Sequence, residues 1–513
     1  MKHSKLAIAV LALAVCAFAV PAMAQKTSTG IDCSQINALH LLQQDNMRAG
    51  LTLIECGIVQ GGRPEAGSDV DAPAPPNVLV SNRTCTSASS CTKSENMVWE
   101  NGSTVVVNYN DHNSGQYSGV SYSTNGGATF TQIIPPPFTS HGTNFGDPIV
   151  VFNKKLNKWF AGDLASGCGG QGIGLWTSPD GINWTSGACA HTNSGDDRES
   201  MWVDNDPTSL GYGRMYISFN NFNVGSGALQ VVYSDNGTSW TLVTLTNNFV
   251  RDVQVTGAQV SPTAIRGAVA SYNSVFVASM NEGGGGLSNR TNVMWRSNNG
   301  GVSWTQFTMG SAFPAVGDGT CSSNPYFAKI NPIWRHMGWG EPAVGPNNVV
   351  HYVYAGKGTS NDNGDIYYTR STDNGATWSA PLKLNTDPDQ QYHTQWMPSL
   401  SVNPGGKVTA SWYDRRNVST ACISATDAGC NYERFGRQSA DNGATWGASD
   451  FAISSSVIPQ PQQQDGGVQD CYAGDYDYST AQGGTAYVTW TDGRRNVNGV
   501  QVQDVNLAAV PEQ

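Results

Sequence analysis

From Asn77 to the C-terminus, short runs of β-branched and aromatic residues alternate with clusters of Gly, Asn and Asp. Thr104 to Val107, Val349 to Tyr354 and Thr485 to Trp490 are examples, with the length and composition of strands rather than helices. The preceding stretch is different. Ile36, Leu39, Leu42, Met47, Leu51 and Ile54 recur at spacings of three to five, which predicts a helical segment between Asp32 or Ser34 as N-cap and Gly57 as terminator. GGRPEAGSDVDAPAPP, residues 61–76, has no period and predicts a linker. At the N-terminus, Lys2 and Lys5, an apolar run from Leu6 to Val20 and then Ala22-Met23-Ala24 have the order of a secretory signal peptide cleaved after Ala24. The expected division is a signal at 1–24, a helical segment at 25–60, a linker at 61–76 and one strand-rich body at 77–513.

The body repeats itself. STDNGATW at Ser371 to Trp378 returns as SADNGATW at Ser439, SNNGGVSW at Ser297 and STNGGATF at Ser123, and in shortened form as SPDGINW at Ser178 and SDNGTSW at Ser234. Each copy has a hydroxyl, an Asx two positions on, a Gly and a terminal aromatic. A tight hairpin needs these: the Asx accepts turn N–H groups, Gly takes φ > 0, and the aromatic packs back between strands.

This series resembles the Asp boxes of the sialidase-like β-propellers. The resemblance implies an all-β ring of four-stranded blades, with the boxes on peripheral turns between third and fourth strands, structural rather than catalytic. A second repeat precedes the boxes as a set of inner-strand starts: SENMVW at Ser94, GDPIVVF at Gly146, DRESMWV at Asp197, VTGAQV at Val255, GEPAVG at Gly340, QWMPSLSV at Gln395 and GDYDYSTA at Gly474. Seven starts favour seven blades over six, the last completed by an N-terminal strand from Asn77 to Ser81.

Composition narrows the function. In 513 residues, 28 Lys and Arg face 39 Asp and Glu with no basic block, so the electrostatic footprint of a nucleic-acid binder is missing. Beyond the leader no run is apolar enough to span a membrane. A secreted or periplasmic monomer is expected. Of 11 Cys, Cys16 lies in the leader, and the remaining even number predicts disulfides. Proximity suggests Cys33 with Cys56, Cys85 with Cys91, Cys168 with Cys189 and Cys422 with Cys430, leaving Cys321 with Cys471; counting alone allows other pairings. No C-x-x-C occurs, so no metal and no cofactor is expected. NDNGD at Asn361 to Asp365 predicts a hairpin turn rather than a Ca²⁺ loop.

Rotation about a ring axis would bring the inner-strand starts together, and these carry Glu95, Asp147, Glu199, Glu341 and Asp475. So many carboxylates repel unless cations or shared protons compensate. Cations occur at Arg198 and in two matching segments, SWYDRRN (Arg415, Arg416) and TWTDGRRN (Arg494). Each of those two is either a structural ion pair or an anion clamp. The resemblance implies three Arg around a substrate carboxylate, a Tyr nucleophile activated by Glu and an Asp acid/base, with the first Arg in an R-I-P segment. No R-I-P occurs here, and Arg83 is the Arg near its place. On this pattern Tyr476 is the candidate nucleophile, Glu341 its helper and Asp147 the acid/base, with Arg198, Glu199, Arg415, Arg416, Asp475 and Arg494 as substrate contacts. The expected function is a glycan-directed, exo-sialidase-like glycoside hydrolase. The alternatives are a non-catalytic propeller binding glycan or protein, with Trp334, Trp339 and Trp396 as possible stacking platforms, and a polysaccharide lyase using Tyr476 with Arg494.

Overall fold

In the computed structural model, residues 26–62, 77–82, 85–112, 117–134, 138–258, 271–331, 334–358, 362–424 and 427–512 are described. The signal peptide, most of the 61–76 stretch and Arg83 lie outside the described residues. The short apolar runs form seven four-stranded antiparallel sheets among the described residues. Their first strands are Lys93–Asn101, Ile149–Asn153, Asp196–Val203, Arg251–Gly257, Glu341–Val344, Gln395–Val402 and Ser479–Thr480. Each first strand lies against the next, and the last lies against the first, so the sheets stand radially around a closed ring. This is a β-propeller arrangement.

The inner strands lack the polar alternation of a half-exposed sheet because both faces are covered by neighbouring sheets. All eight residues of Asp196–Val203 are buried. The core lies between sheets, where Trp159, Trp176, Trp334, Trp396, Trp412 and Trp490 are fully enclosed. The ring closes as the N-terminal strand pattern predicts: Val78 pairs with Leu507 and Leu79 with Asn506, adding Val78–Leu79 to a sheet made from the C-terminal strands.

The six recurrent turns share one geometry, and each joins the third strand of a sheet to its fourth strand or the edge segment that follows. The serine hydroxyl accepts the glycine N–H, as in Ser371 from Gly375 at 2.8 Å and Ser178 from Gly181 at 2.8 Å. The Asx oxygen accepts further turn amides, as Asp373 does from Thr377 at 2.8 Å. Asp373 and Asp441 are exposed at the ring's periphery. All five disulfides join the cysteines that proximity suggested, including Cys321–Cys471 across 150 residues.

One expectation needs correction, and one is made finer. The fourth inner strand begins at Arg251, four residues before the expected Val255, which moves Arg251 and Asp252 onto the rim. The N-terminal segment is not one helix. A 3₁₀ turn, Cys33–Gln35, is capped by Asp32, and a separate helix, Met47–Glu55, is capped by Asn46. His40 has a positive φ of 52°, which no helix tolerates, and residues 44–46 turn instead toward the ring. Among the described residues the longest helix is nine residues, and none is long and apolar enough to cross a membrane.

Candidate functional site

At the rim the same backbone device recurs. Glu95, Asp147, Arg198, Asp252 and Met397 all have φ between 47° and 58°. Four of these five places coincide with a shift of register against the second strand. A bulge of this kind re-aims a side chain at the end of a strand. A left-handed conformation in a non-glycine residue costs on the order of 1–3 kcal/mol, so a fivefold recurrence marks the rim as a place where side-chain direction outweighs local stability. Four of the five residues are charged. Gly146, with φ 91°, makes room for Asn110: a Cβ there would lie 2.5 Å from the Asn110 oxygen. Asn110 in turn accepts from the Asp147 N–H at 3.1 Å and donates to Glu95 at 2.6 Å.

The charged groups converge in ion pairs. The Arg198 guanidinium donates to Asp252 at 2.6 Å and to the Tyr478 hydroxyl at 3.2 Å, and it lies 3.6 Å from the centre of the Tyr476 ring. The Arg198 backbone N–H donates to Asp147 at 2.9 Å. Arg335 holds Asp475 with two N–H groups, at 2.9 and 2.5 Å, and the Asp475 N–H donates to Glu95 at 3.0 Å. Arg251 holds Asp197 at 2.6 Å. Every one of these groups is buried.

The mouth is also filled from outside the ring. Asp45 and Asn46, just ahead of the helix Met47–Glu55, reach into the rim. Asp45 pairs with Arg251 at 2.6 Å. The Asp45 and Asn46 N–H groups both donate to Asp197 at 3.2 Å, and the Asn46 amide donates to the same carboxylate at 2.5 Å. Arg335 donates to the Asp45 carbonyl at 3.4 Å. Arg48 reaches Gln171 at 3.1 Å, and the Met47 N–H donates to the Phe145 carbonyl at 3.2 Å.

Burial dominates the titration of this cluster. It pushes Glu95 well above the carboxylate range, with Asp475 and Asp147 adding repulsion. It does the same to Asp147, where Asp45 and Asp197 add to it, and to Glu199. Asp197 rises to about 7 through burial and the Asp45 charge. For Asp45, burial opposes ionisation, but Arg251, Arg198 and Arg335 outweigh it and hold the carboxyl below its usual value. The cluster therefore balances its charge by keeping protons on some acids and pairing the others with three arginines. Several buried atoms of the cluster have no hydrogen bond, among them both oxygens of Glu199, Asp147 Oδ1, Asp45 Oδ1, the Tyr476 hydroxyl and Nε of Arg198 and Arg251.

Of the residues selected from sequence, Asp147, Arg198, Glu199, Asp475 and Tyr476 gather at the rim. Glu341 lines a cavity of about 10 Å³ with Tyr476, Asp475 and Asp252; its carboxylate accepts from the Leu400 N–H at 2.8 Å, and burial pushes it up to about 8. The other three arginines are engaged apart from this cluster. Arg416 pairs with Asp414 at 2.5 Å and Asp450 at 2.6 Å, and Arg494 with Asp492 at 2.5 Å. The preceding indoles, Trp412 and Trp490, donate to the same two aspartates at 2.9 and 2.8 Å, so both segments are built as strand-end ion pairs. Arg415 donates to the Ile330 carbonyl at 3.1 Å. Trp334 and Trp396 are wholly buried and offer no face to a sugar. Arg251, Asp252, Arg335, Asp197 and Asp45 were not selected from sequence.

No protein-family model and no curated protein matches the chain by sequence. Among solved structures, the chain is similar to a protein of unknown function from Dyadobacter fermentans, at 13% identity over 86% of this chain and 99% of that one, with a TM-score of 0.39. It is similar to a polysaccharide lyase, ulvan lyase, at 9% identity over 89% and 95%, TM-score 0.45. A third such structure is the phage phi92 endosialidase, at 12% over 88% and 70%, TM-score 0.39.

Proposed function

We propose that this protein is an exported, glycan-directed propeller of the glycoside hydrolase type, with its chemistry at the rim around Tyr476. The observation that carries this reading is the Tyr476 phenol. It is buried among Asp147, Glu95 and Arg198, with a guanidinium 3.6 Å from its ring and no hydrogen-bond partner for its hydroxyl. In this reading the Tyr476 oxygen attacks the anomeric carbon as its proton passes to a carboxylate, with Glu341 as the assigned acceptor in its ionised form, which burial confines to pH values above about 8. Asp147, which holds its proton, donates it to the departing oxygen, and water then releases the sugar from the tyrosine. Arg198, Glu199, Asp475 and, among the residues found only in the fold, Arg251 and Arg335 would surround an acidic sugar. Five disulfides suit the oxidising compartment this requires.

A second reading, a non-catalytic binding propeller, draws support from the pairing of all three rim arginines with aspartates of this chain. Release of 4-methylumbelliferone from sialosides, glucuronides and neutral glycosides separates the two. The hydrolase reading expects turnover of an acidic glycoside that falls at least ~100-fold in Tyr476→Phe and Asp147→Asn. Equal turnover in both variants would remove these residues from the reaction. No turnover on any glycoside, by the native chain or by Asp45→Ala, would leave the binding propeller.

A further inference from the structure

The ring is complete without its N-terminal segment. Closure is made by Val78–Leu79, downstream of that segment. The segment has its own small core of Ile31, Ile36, Leu41, Ala49, Leu53 and Val59, and its one disulfide, Cys33–Cys56, is internal. Among the described residues, no disulfide joins it to the ring. It is held there by the polar insertion at the rim, by Arg48 against Gln171 and the Phe145 ring, by Met47 against Val468 and Tyr472, and by an edge contact in which the Asp470 N–H donates to the Gln60 carbonyl at 3.0 Å and the Gly62 N–H to the Val468 carbonyl at 2.9 Å. The group it places deepest is a carboxylate, Asp45, 2.6 Å from Arg251 and in the field of Arg198 and Arg335. One Asp45 oxygen, Oδ1, is buried without a hydrogen bond.

From this geometry we infer that the segment 26–62 is a built-in occupant of the ring mouth, in which the Asp45 carboxylate stands where the carboxylate of an acidic sugar binds. The ring then accepts that sugar only when the segment is displaced. This rests on the glycan-directed reading above, and it adds both the ligand's charge and the control of access to it. In the described state the cavity beside Tyr476 is about 10 Å³, too small for a pyranose. The segment has a core and a disulfide of its own, and its chain continues to the ring through residues 63–76, so a single cut there is expected to free it as a unit.

The test uses the full chain with a protease recognition sequence inserted between residues 63 and 76, before and after cutting. N-acetylneuraminate and glucuronate are the probes, N-acetylglucosamine the neutral control, and binding is read by calorimetry. Both acids are screened, because either would supply the carboxylate. Expected results are release of the 26–62 peptide on dilution, a ring that still melts cooperatively, and binding of at least one acid, but not the neutral sugar, only after the cut. Purified 26–62 peptide added back should compete with that acid, and an Asp45→Ala peptide should do so at least tenfold less well. In the uncut chain, Asp45→Ala should admit the acid at least tenfold more tightly than the native chain does.

Three results would overturn the inference: a ring that unfolds when the peptide leaves, equal affinity for the acids before and after cutting, or competition unaffected by Asp45→Ala. Failure of the hydrolase reading is separate. If no glycoside is turned over but peptide and acid compete, the mouth is a gated binding site and the inference stands.

Discussion

Asp45 and Asp197 share one guanidinium. Arg251 lies 2.6 Å from each, one carboxylate from the N-terminal segment and one from the rim. This bridge is the main electrostatic joint between segment and ring. Removing one member of a buried ion pair leaves uncompensated charge, at a cost of about 3–5 kcal/mol.

Arg251→Ala is therefore expected to lower stability by about that amount and to loosen the segment first. Hydrogen exchange should rise in Met47–Glu55 before it rises in the inner strands. Thermal melting with exchange mass spectrometry checks this, and an unchanged exchange rate in the helix would show that the joint lies elsewhere.

Stability should fall as pH rises through neutrality. Burial raises Asp197 to about 7 and Glu341 to about 8, against ordinary values of 3.8 and 4.5. Between roughly pH 4 and 8 the native state thus holds protons that the unfolded chain has released, and stability declines with pH across that window. Asp45 acts in the opposite sense: its pKa is depressed, so its stabilising share is lost only on acidification below the ordinary carboxylate range. Each raised group contributes on the order of a few kcal/mol. The midpoint of thermal unfolding should be higher at pH 5 than at pH 8, and Glu341→Gln should flatten the slope.

The Cys321–Cys471 bond closes a separation of 150 residues, whereas Cys422–Cys430 closes 8. If constraint of the unfolded chain dominates, replacing the first pair by serine costs about 3–5 kcal/mol and replacing the second much less. Denaturant unfolding of the two double variants gives the comparison.

Truncation after Thr480 removes Thr485–Asp492 and Asp504–Pro511, the strands that join the last sheet to Val78–Leu79. Sheets in a ring cannot cover both faces alone, so the truncated chain should show no cooperative melting transition by calorimetry.

Much of the fold was legible because its repeats are local. The hydroxyl-Asx-Gly turns at Ser371 and Ser439 encode their own hairpins, and the rim residues Asp147, Arg198, Glu199, Asp475 and Tyr476 follow from the register of inner-strand starts. Where the local signal misled, the cause is specific. VTGAQV has a strand's alternation, which hid the rim pair Arg251 and Asp252 just upstream. Arg335 lies on a short strand, Trp334–Arg335, outside the ring's repeat. Arg416 and Arg494 carry the residue pattern of an anion clamp, yet the anions they bind are aspartates of this chain, two positions earlier in each segment and, for Arg416, Asp450 as well. Asp45 had no signal, since nothing in the spacing of residues 34–57 reveals an insertion between Arg251 and Arg335, hundreds of residues away.

Ring closure through Leu79 and Asn506 has a consequence for how the molecule is made. The partner strands are at opposite ends of the sequence, and contacts of such long range form late and slowly. A ribosome delivers the N-terminal segment first, when the mouth it fits does not exist. The circle can be sealed only after the final strand, Asp504–Pro511, has been synthesised, so throughout its production the chain is an open arc with unpaired edges. Residues 26–62 precede every strand of the ring, yet their place exists only once the ring is closed.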